Sequence, residues 1–235
     1  MFTEDFESGS NGAVLSTSNT VFDSFYGNDA TFTDAHSVTG SLAGDFTANG
    51  TQCMASTLTS EPVIYRRFYM WIDAIPTSNS FIAQAVESDS NRAQIRIEPD
   101  GSLAVRNAFV KVWTSTAPIP TQEWLRVEWK LDSTNQLQAC RLFLGPNLHG
   151  TTPNDKSGDV TFDSGAFDQL NIGNVTANTL GLLVDDIEDD NADWPAPAES
   201  SPLAVVATAQ STVPTGSLVT LSALASGGGG SYTFA

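Results

Sequence analysis

No stretch of this chain carries apolar residues at a helical period. Short runs of alternating apolar and polar residues recur instead, each closed by Gly, Asn, Asp, Ser or Pro. The runs Phe2–Glu7, Ala30–Thr33, Leu42–Phe46, Val63–Asp73, Ser80–Glu87, Arg92–Glu98, Leu103–Arg106, Glu123–Leu131, Leu137–Leu144, Phe167–Ile172 and Thr179–Glu188 read as strands. Pro99-Asp100-Gly101-Ser102 and Asp132-Ser133-Thr134-Asn135 are turn signals between neighbouring runs, so antiparallel pairing is expected. The fold class predicted is all-β, with two antiparallel sheets packed as a sandwich.

Charge is partitioned along the chain. All ten Lys and Arg lie between Arg66 and Lys156, so the net charge of -17 comes from two base-free flanks. Glu4-Asp5-Phe6-Glu7 opens the first flank, and Asp185-Asp186-Ile187-Glu188-Asp189-Asp190 lies in the second. If the first and last strands pair, these carboxylates come together, and a counter-charge is needed. A bound divalent cation is the simplest one. Such acidity argues against nucleic acid, whose recognition needs Lys and Arg at the phosphates. No apolar run approaches the roughly 20 residues of a membrane-spanning helix, so no membrane insertion is expected. Met1 leads directly into a strand-like acidic segment, which predicts a chain without an N-terminal export signal.

Cys53 and Cys140 are far apart and lack nearby His pairs. They read as two buried thiols in strands, with a single disulfide as the lesser alternative. His36 and His149 read as turn or surface residues. Residues 195–202, rich in Pro, have the composition of a semi-rigid linker, which ends a first domain at residues 1–194. Beyond it Leu203–Ala209, Leu218–Ala225 and Ser231–Phe234 read as strands, separated by turns at Val213–Gly216 and Gly227–Gly230. They are the opening of an immunoglobulin-like sandwich in residues 203–235, too short to close a core alone.

Several segments together resemble the laminin-G-like, concanavalin-like jelly-roll domains of minor structural proteins of actinobacteriophages. They are Phe2–Gly9, Glu123–Trp129, Leu142–Gly150 and Val184–Ile187 through Asp193-Trp194-Pro195. The tail from Ala204 to Tyr232 resembles the start of a PKD-type repeat. The resemblance implies a jelly-roll sandwich in a virion structural protein, a minor tail or capsid-decoration protein, assembled in the host cytoplasm and exposed on the particle. Its partners would be other virion proteins and a host cell-surface glycan. A homo-oligomer is expected, since fibre and decoration proteins commonly trimerise. The alternative is a carbohydrate-binding module of a cell-surface or secreted bacterial protein. Related carbohydrate-binding jelly rolls also hold a structural calcium, which would place Glu7 and Asp185 as ligands here, helped by Asp5 and Asp186.

Two further constellations bear on function. Asp186, Glu188 and Asp190 alternate as the carboxylates of some sandwich-fold glycoside hydrolases do, but they end the domain and run into a linker. With no Ser-His-Asp order, P-loop or His-rich metal motif, the chain reads as non-enzymatic, with no catalytic residues. In Val63–Ile72 the alternation puts Ile64, Phe68, Met70 and Ile72 on one face and Tyr65, Arg67, Tyr69 and Trp71 on the other. Arg92, Gln94, Arg96 and Arg106 are likewise outward. Were these strands neighbours, one sheet would present aromatics, Arg and Gln together, a surface suited to sugars or to a protein partner, although ordinary surface packing gives the same pattern. Trp124 and Trp129 read as core residues.

Overall fold

The computed structural model describes residues 2–47, 50–57, 62–88, 90–162, 166–178 and 180–198, and the strands 204–208 and 222–226. In chain order the strands are β1 (Phe2–Glu4), β2 (Ser24–Gly27), β3 (Thr31–Thr33), β4 (Ala43–Asp45), β5 (Gly50–Thr57) and β6 (Val63–Ile72). Next come β7 (Ser80–Glu87), β8 (Ser90–Ile97), β9 (Leu103–Asn107), β10 (Lys111–Thr114), β11 (Leu125–Asp132) and β12 (Leu137–Leu144). Then follow β13 (Asp155–Lys156), β14 (Val160–Thr161), β15 (Gln169–Asn178) and β16 (Leu182–Asp190). They form two antiparallel sheets, so the predicted sandwich and both predicted hairpins are present. One sheet runs β13-β12-β11-β6-β16-β4-β3, with β1 on β16 and β14 on β12; the other runs β10-β9-β8-β7-β15-β5-β2.

Alternation builds the core. Ile64, Phe68, Met70 and Ile72 of β6 and Leu125, Val127, Trp129 and Leu131 of β11 point inward, where they meet Met54, Ile95, Leu170 and Ile172. Each fully buried large side chain of this kind contributes about 1.5–3 kcal/mol. Trp129 meets its core expectation and donates its indole N–H to Gln138 Oε1 at 3.1 Å. Cys53 and Cys140 are free, buried thiols, and burial pushes the Cys53 thiol up to about 12.

One inward position of β6 is not apolar. Arg66 shares the Ile64–Phe68 face, fully buried, with Nε and Nη2 each 2.7 Å from a carboxylate oxygen of Asp189 on β16. Its Nη2 also donates to Ser56 Oγ on β5 at 2.7 Å, so the guanidinium ties one sheet to the other. A buried charge is tolerated only when paired in this way.

Asp189 reaches the interior because β16 changes face. Its register against β6 runs Leu183↔Trp71 and Asp185↔Tyr69, then skips to Glu188↔Arg67 and Asp189↔Arg66. Asp186 stands at this bulge with φ 45°. Leu183, Asp185 and Ile187 therefore do not share one face as plain alternation would have them: Ile187 joins the core, while Asp185 is buried on the other face beneath Val38. The same bulge breaks the alternation of Asp186, Glu188 and Asp190.

The pairing of β17 (Ala204–Thr208) with β18 (Ser222–Ser226) places two of the expected tail strands side by side. The Ser231–Phe234 strand and the Val213–Gly216 and Gly227–Gly230 turns lie outside the described residues.

Asp189→Ala, which strands the Arg66 charge in the core, should cost about 3–5 kcal/mol in urea denaturation, while the paired replacement Arg66→Met with Asp189→Leu should recover most of that loss.

Candidate functional site

The acidic flanks do come together. β1 pairs with β16 through Phe2↔Asp189, Thr3↔Glu188 and Glu4↔Ile187. Much of the charge is met by main-chain N–H groups. Glu7 Oε1 accepts from Ser41 N at 2.8 Å and Leu42 N at 2.7 Å, and its Oε2 accepts from Ser41 Oγ at 3.0 Å. This wrap requires Gly40, at φ +60°, because a Cβ there would stand 2.4 Å from the Glu7 carboxylate. Asp185 Oδ2 accepts from Val38 N at 2.7 Å, and its Oδ1 accepts from Asp186 N at 2.8 Å. Asp5 accepts from Glu7 N at 3.1 Å.

Asp186 is the exception. Thr39 Oγ1 donates to its Oδ1 at 2.9 Å, but its Oδ2 is buried with no hydrogen-bond partner. Burial raises its pKa to about 6, with Asp5 and Glu7 adding repulsion against the attraction of Arg67. Asp185 is raised as well, by burial and then by Asp186. No group of three or more His, Cys, Asp or Glu side chains converges as a ready metal site among the described residues. Carboxylate oxygens retain lone pairs beyond those used by the N–H donors, so Asp5, Glu7, Asp185 and Asp186 fit a calcium site only with main-chain carbonyls or water completing it.

The eight-residue ligand surface expected from sequence divides between the two sheets. Tyr65, Arg67, Tyr69 and Trp71 lie on β6, in the nine-stranded sheet; Arg92, Gln94 and Arg96 lie on β8 and Arg106 on β9, in the seven-stranded one. β6 pairs with β11 and β16 and never with β8, because the connection through β7 enters the opposite sheet. On β8 the cations are occupied locally: Arg92 pairs with Glu87 at 2.5 Å, and Arg96 with Glu98 at 2.6 Å. Gln94 is buried, and Arg106 donates to Phe109 O at 2.5 Å.

On the nine-stranded sheet, the segment after β16 returns across β6. Arg67 Nη1 donates to Ala196 O, Ala198 N donates to Tyr69 Oη at 3.0 Å, and the Trp194 ring meets Tyr65 edge-on at 5.2 Å between centroids. Trp194 and residues 195–198, the start of the expected linker, are thus docked on the sandwich. Trp71 is left beyond the end of this strap, and it lines a cavity of about 350 Å³ with Ser37, Val38, Gln122, Glu123, Trp124 and His149 among its walls. His36 stacks on Trp71 at 4.0 Å, and Trp124 meets it edge-on at 6.0 Å. Trp124 is therefore a pocket wall and not a core residue. His149 holds the strap by Nδ1 to Ala198 O at 2.9 Å. Neither histidine has a local sequence signal, since each reaches the pocket only through a loop.

No family model and no curated protein matches this sequence. Among solved structures the sandwich is similar to cellulose induced protein, Cip1, at 15% identity and TM-score 0.55, over 83% of this chain and 99% of that one. It is also similar to a Trypanosoma rangeli sialidase at 12% identity and TM-score 0.53, over 82% of this chain and 30% of the sialidase. A further sialidase matches at 9% identity and TM-score 0.51, over 72% of this chain and 17% of its own length. The chain thus spans under a third of the sialidases it matches, and at these identities the likeness is one of fold. It is consistent with a concanavalin-like sandwich. It also corrects the expectation of a non-enzymatic chain: a sandwich of this fold occurs within enzymes, the sialidases, so that exclusion does not stand.

Because the folded pKa of Asp186 lies above its ordinary 3.8, its contribution to stability is complete below that value and is lost as pH rises through about 6. With divalent cations chelated, the melting temperature should therefore rise between about pH 7 and about pH 5, and Asp186→Asn should flatten that rise.

Proposed function

We propose that this chain is a glycan-binding β-sandwich module, with the Trp71–Trp124 pocket as its sugar site. The observation that carries this is the pocket itself: two indole rings set at 63° beside Gln122, Glu123 and His149, on a sandwich similar to sialidases and to a cellulose induced protein. Indole faces take the C–H faces of sugar rings, while amide, carboxylate and imidazole groups bond to hydroxyls. The glycan-binding alternative displaces virion assembly as the leading reading. Display on a virion, with a host-surface glycan as ligand, is the setting suggested by the laminin-G-like resemblance. The module would comprise residues 1–194 with the docked strap, followed by a PKD-type repeat.

A calcium ion at the acidic corner, anchored on Asp186 with main-chain carbonyls or water completing its shell and with Asp5, Glu7 and Asp185 as the neighbouring carboxylates, belongs to the same proposal. Its support is the unpartnered Asp186 Oδ2 among repelling carboxylates. The ion would lock β1, β16 and the 37–42 loop, and so the Ser37–Val38 wall of the pocket.

Screening on a glycan array should return neutral binders, and Trp71→Ala and Trp124→Ala should each weaken these by about tenfold or more in calorimetric titration. Unaltered affinity in both variants would remove the pocket from the reading. Excess calcium should raise the melting temperature over a chelated sample, and Asp185→Asn should abolish that difference; identical melts with calcium and chelator would dismiss the ion.

A further inference from the structure

A second groove lies on the same sheet, across the strap from the Trp71 pocket. Its volume is about 320 Å³, and among its walls are Tyr65, Lys130, Arg141, Lys156, Asp159 and Trp194. Three cations and one carboxylate therefore line it, on a chain whose net charge is -17. The single carboxylate is engaged, with Asp159 Oδ1 standing 3.2 Å from Lys130 Nζ.

The other two cations oppose each other. Arg141 on β12 and Lys156 on β13 are direct cross-strand partners. Like charges in that register destabilise a sheet, and the neighbours do little to relieve them. Glu128 reaches Arg141 from the far side at 3.5 Å, and it also serves Arg126 at 3.3 Å. Asp155, next in sequence to Lys156, is turned to main-chain and hydroxyl donors, accepting from Thr116 N at 2.6 Å, Thr116 Oγ1 at 2.9 Å and Lys156 N at 2.8 Å.

The groove also has ring walls. Trp194 stacks on the Arg141 guanidinium at 3.9 Å and meets Tyr65 at 68°. The strap bonds from Arg67, Tyr69 and His149 hold the segment that carries Trp194. Arg141 and Lys130 remain partly open to solvent, with 32% and 18% of their side-chain surfaces exposed.

We propose that this groove binds a sugar that carries a carboxylate, with Arg141 and Lys156 at the carboxylate and Trp194 against the ring. An anion placed there screens the Arg141–Lys156 repulsion that the fold otherwise bears. The aromatic walls favour a sugar ring over a bare anion. The proposal rests on the glycan-binding reading above and adds to it a charge class and a second subsite.

The test is calorimetric titration of the whole chain with oligogalacturonate, with sialyllactose, with a neutral cello-oligosaccharide, and with a dextran sulfate fragment and polyglutamate as anionic controls. One or both of the carboxylated sugars should bind, lose affinity as salt rises, and weaken about tenfold in Lys156→Gln and in Trp194→Ala. Trp71→Ala should leave that binding in place. Lys156 is exposed at a short edge strand, so Lys156→Gln keeps the test valid if Trp194→Ala loosens the strap. Binding of the carboxylated sugars that ignores Lys156→Gln, or dextran sulfate or polyglutamate binding as tightly as they do, overturns the groove assignment. Neutral sugar binding at Trp71 without carboxylated sugar binding overturns this inference alone and leaves the glycan-binding reading intact. No binding of any sugar overturns both.

Discussion

The face change of β16 at Asp186 is the constraint on which the charge layout of this sandwich depends. Five acidic residues among the six from Asp185 to Asp190 would otherwise place carboxylates alternately in the core and in solvent with no regard to their partners. The bulge sets Asp185 against the N–H groups of the 37–42 loop, Glu188 against Arg67 and Asp189 against Arg66. Two residues at this corner take the left-handed region, Phe6 at φ 59° in the turn after β1 and Asp186 at φ 45° in β16. Such conformations cost about 1–2 kcal/mol each. Burial of Phe6 and Ile187 and the Arg66–Asp189 pair offset that strain.

From that corner the functional face follows. β6 sits between β11 and β16, so its outward residues occupy the middle of the nine-stranded sheet. The chain leaves β16 beside it and folds back over it, held by Arg67, Tyr69 and His149. What the sequence offers as one aromatic and basic stripe thereby becomes two separate recesses, one around Trp71 and one around Trp194. The strap itself supplies the indole of the second.

Much of the fold was legible because two-residue alternation is a local property. Each of the eleven predicted runs overlaps a strand, and both turn signals join paired strands. β5 was missed because Gly50-Thr51-Gln52-Cys53-Met54-Ala55-Ser56-Thr57 has little contrast between its faces, although it is paired on both sides, by β15 and β2. Arg66 and Asp189 were missed for a different reason: an inward charge looks like a break in the pattern until its partner from the distant strand is in place.

The all-β class, the antiparallel hairpins, the inward set of β6 and the confinement of the surplus negative charge to two base-free flanks are written locally in the sequence. These follow from period, turn chemistry and charge count, which need no knowledge of distant neighbours. Only the tertiary structure decided which sheet each strand joins, and so that Tyr65–Trp71 and Arg92–Arg106 face opposite ways. It alone decided that N–H donors and two arginines answer most of the acidic ends, and that Trp124, His149 and Trp194 become site walls. Those outcomes depend on contacts between residues far apart in sequence, and on a one-residue bulge that no local pattern announces.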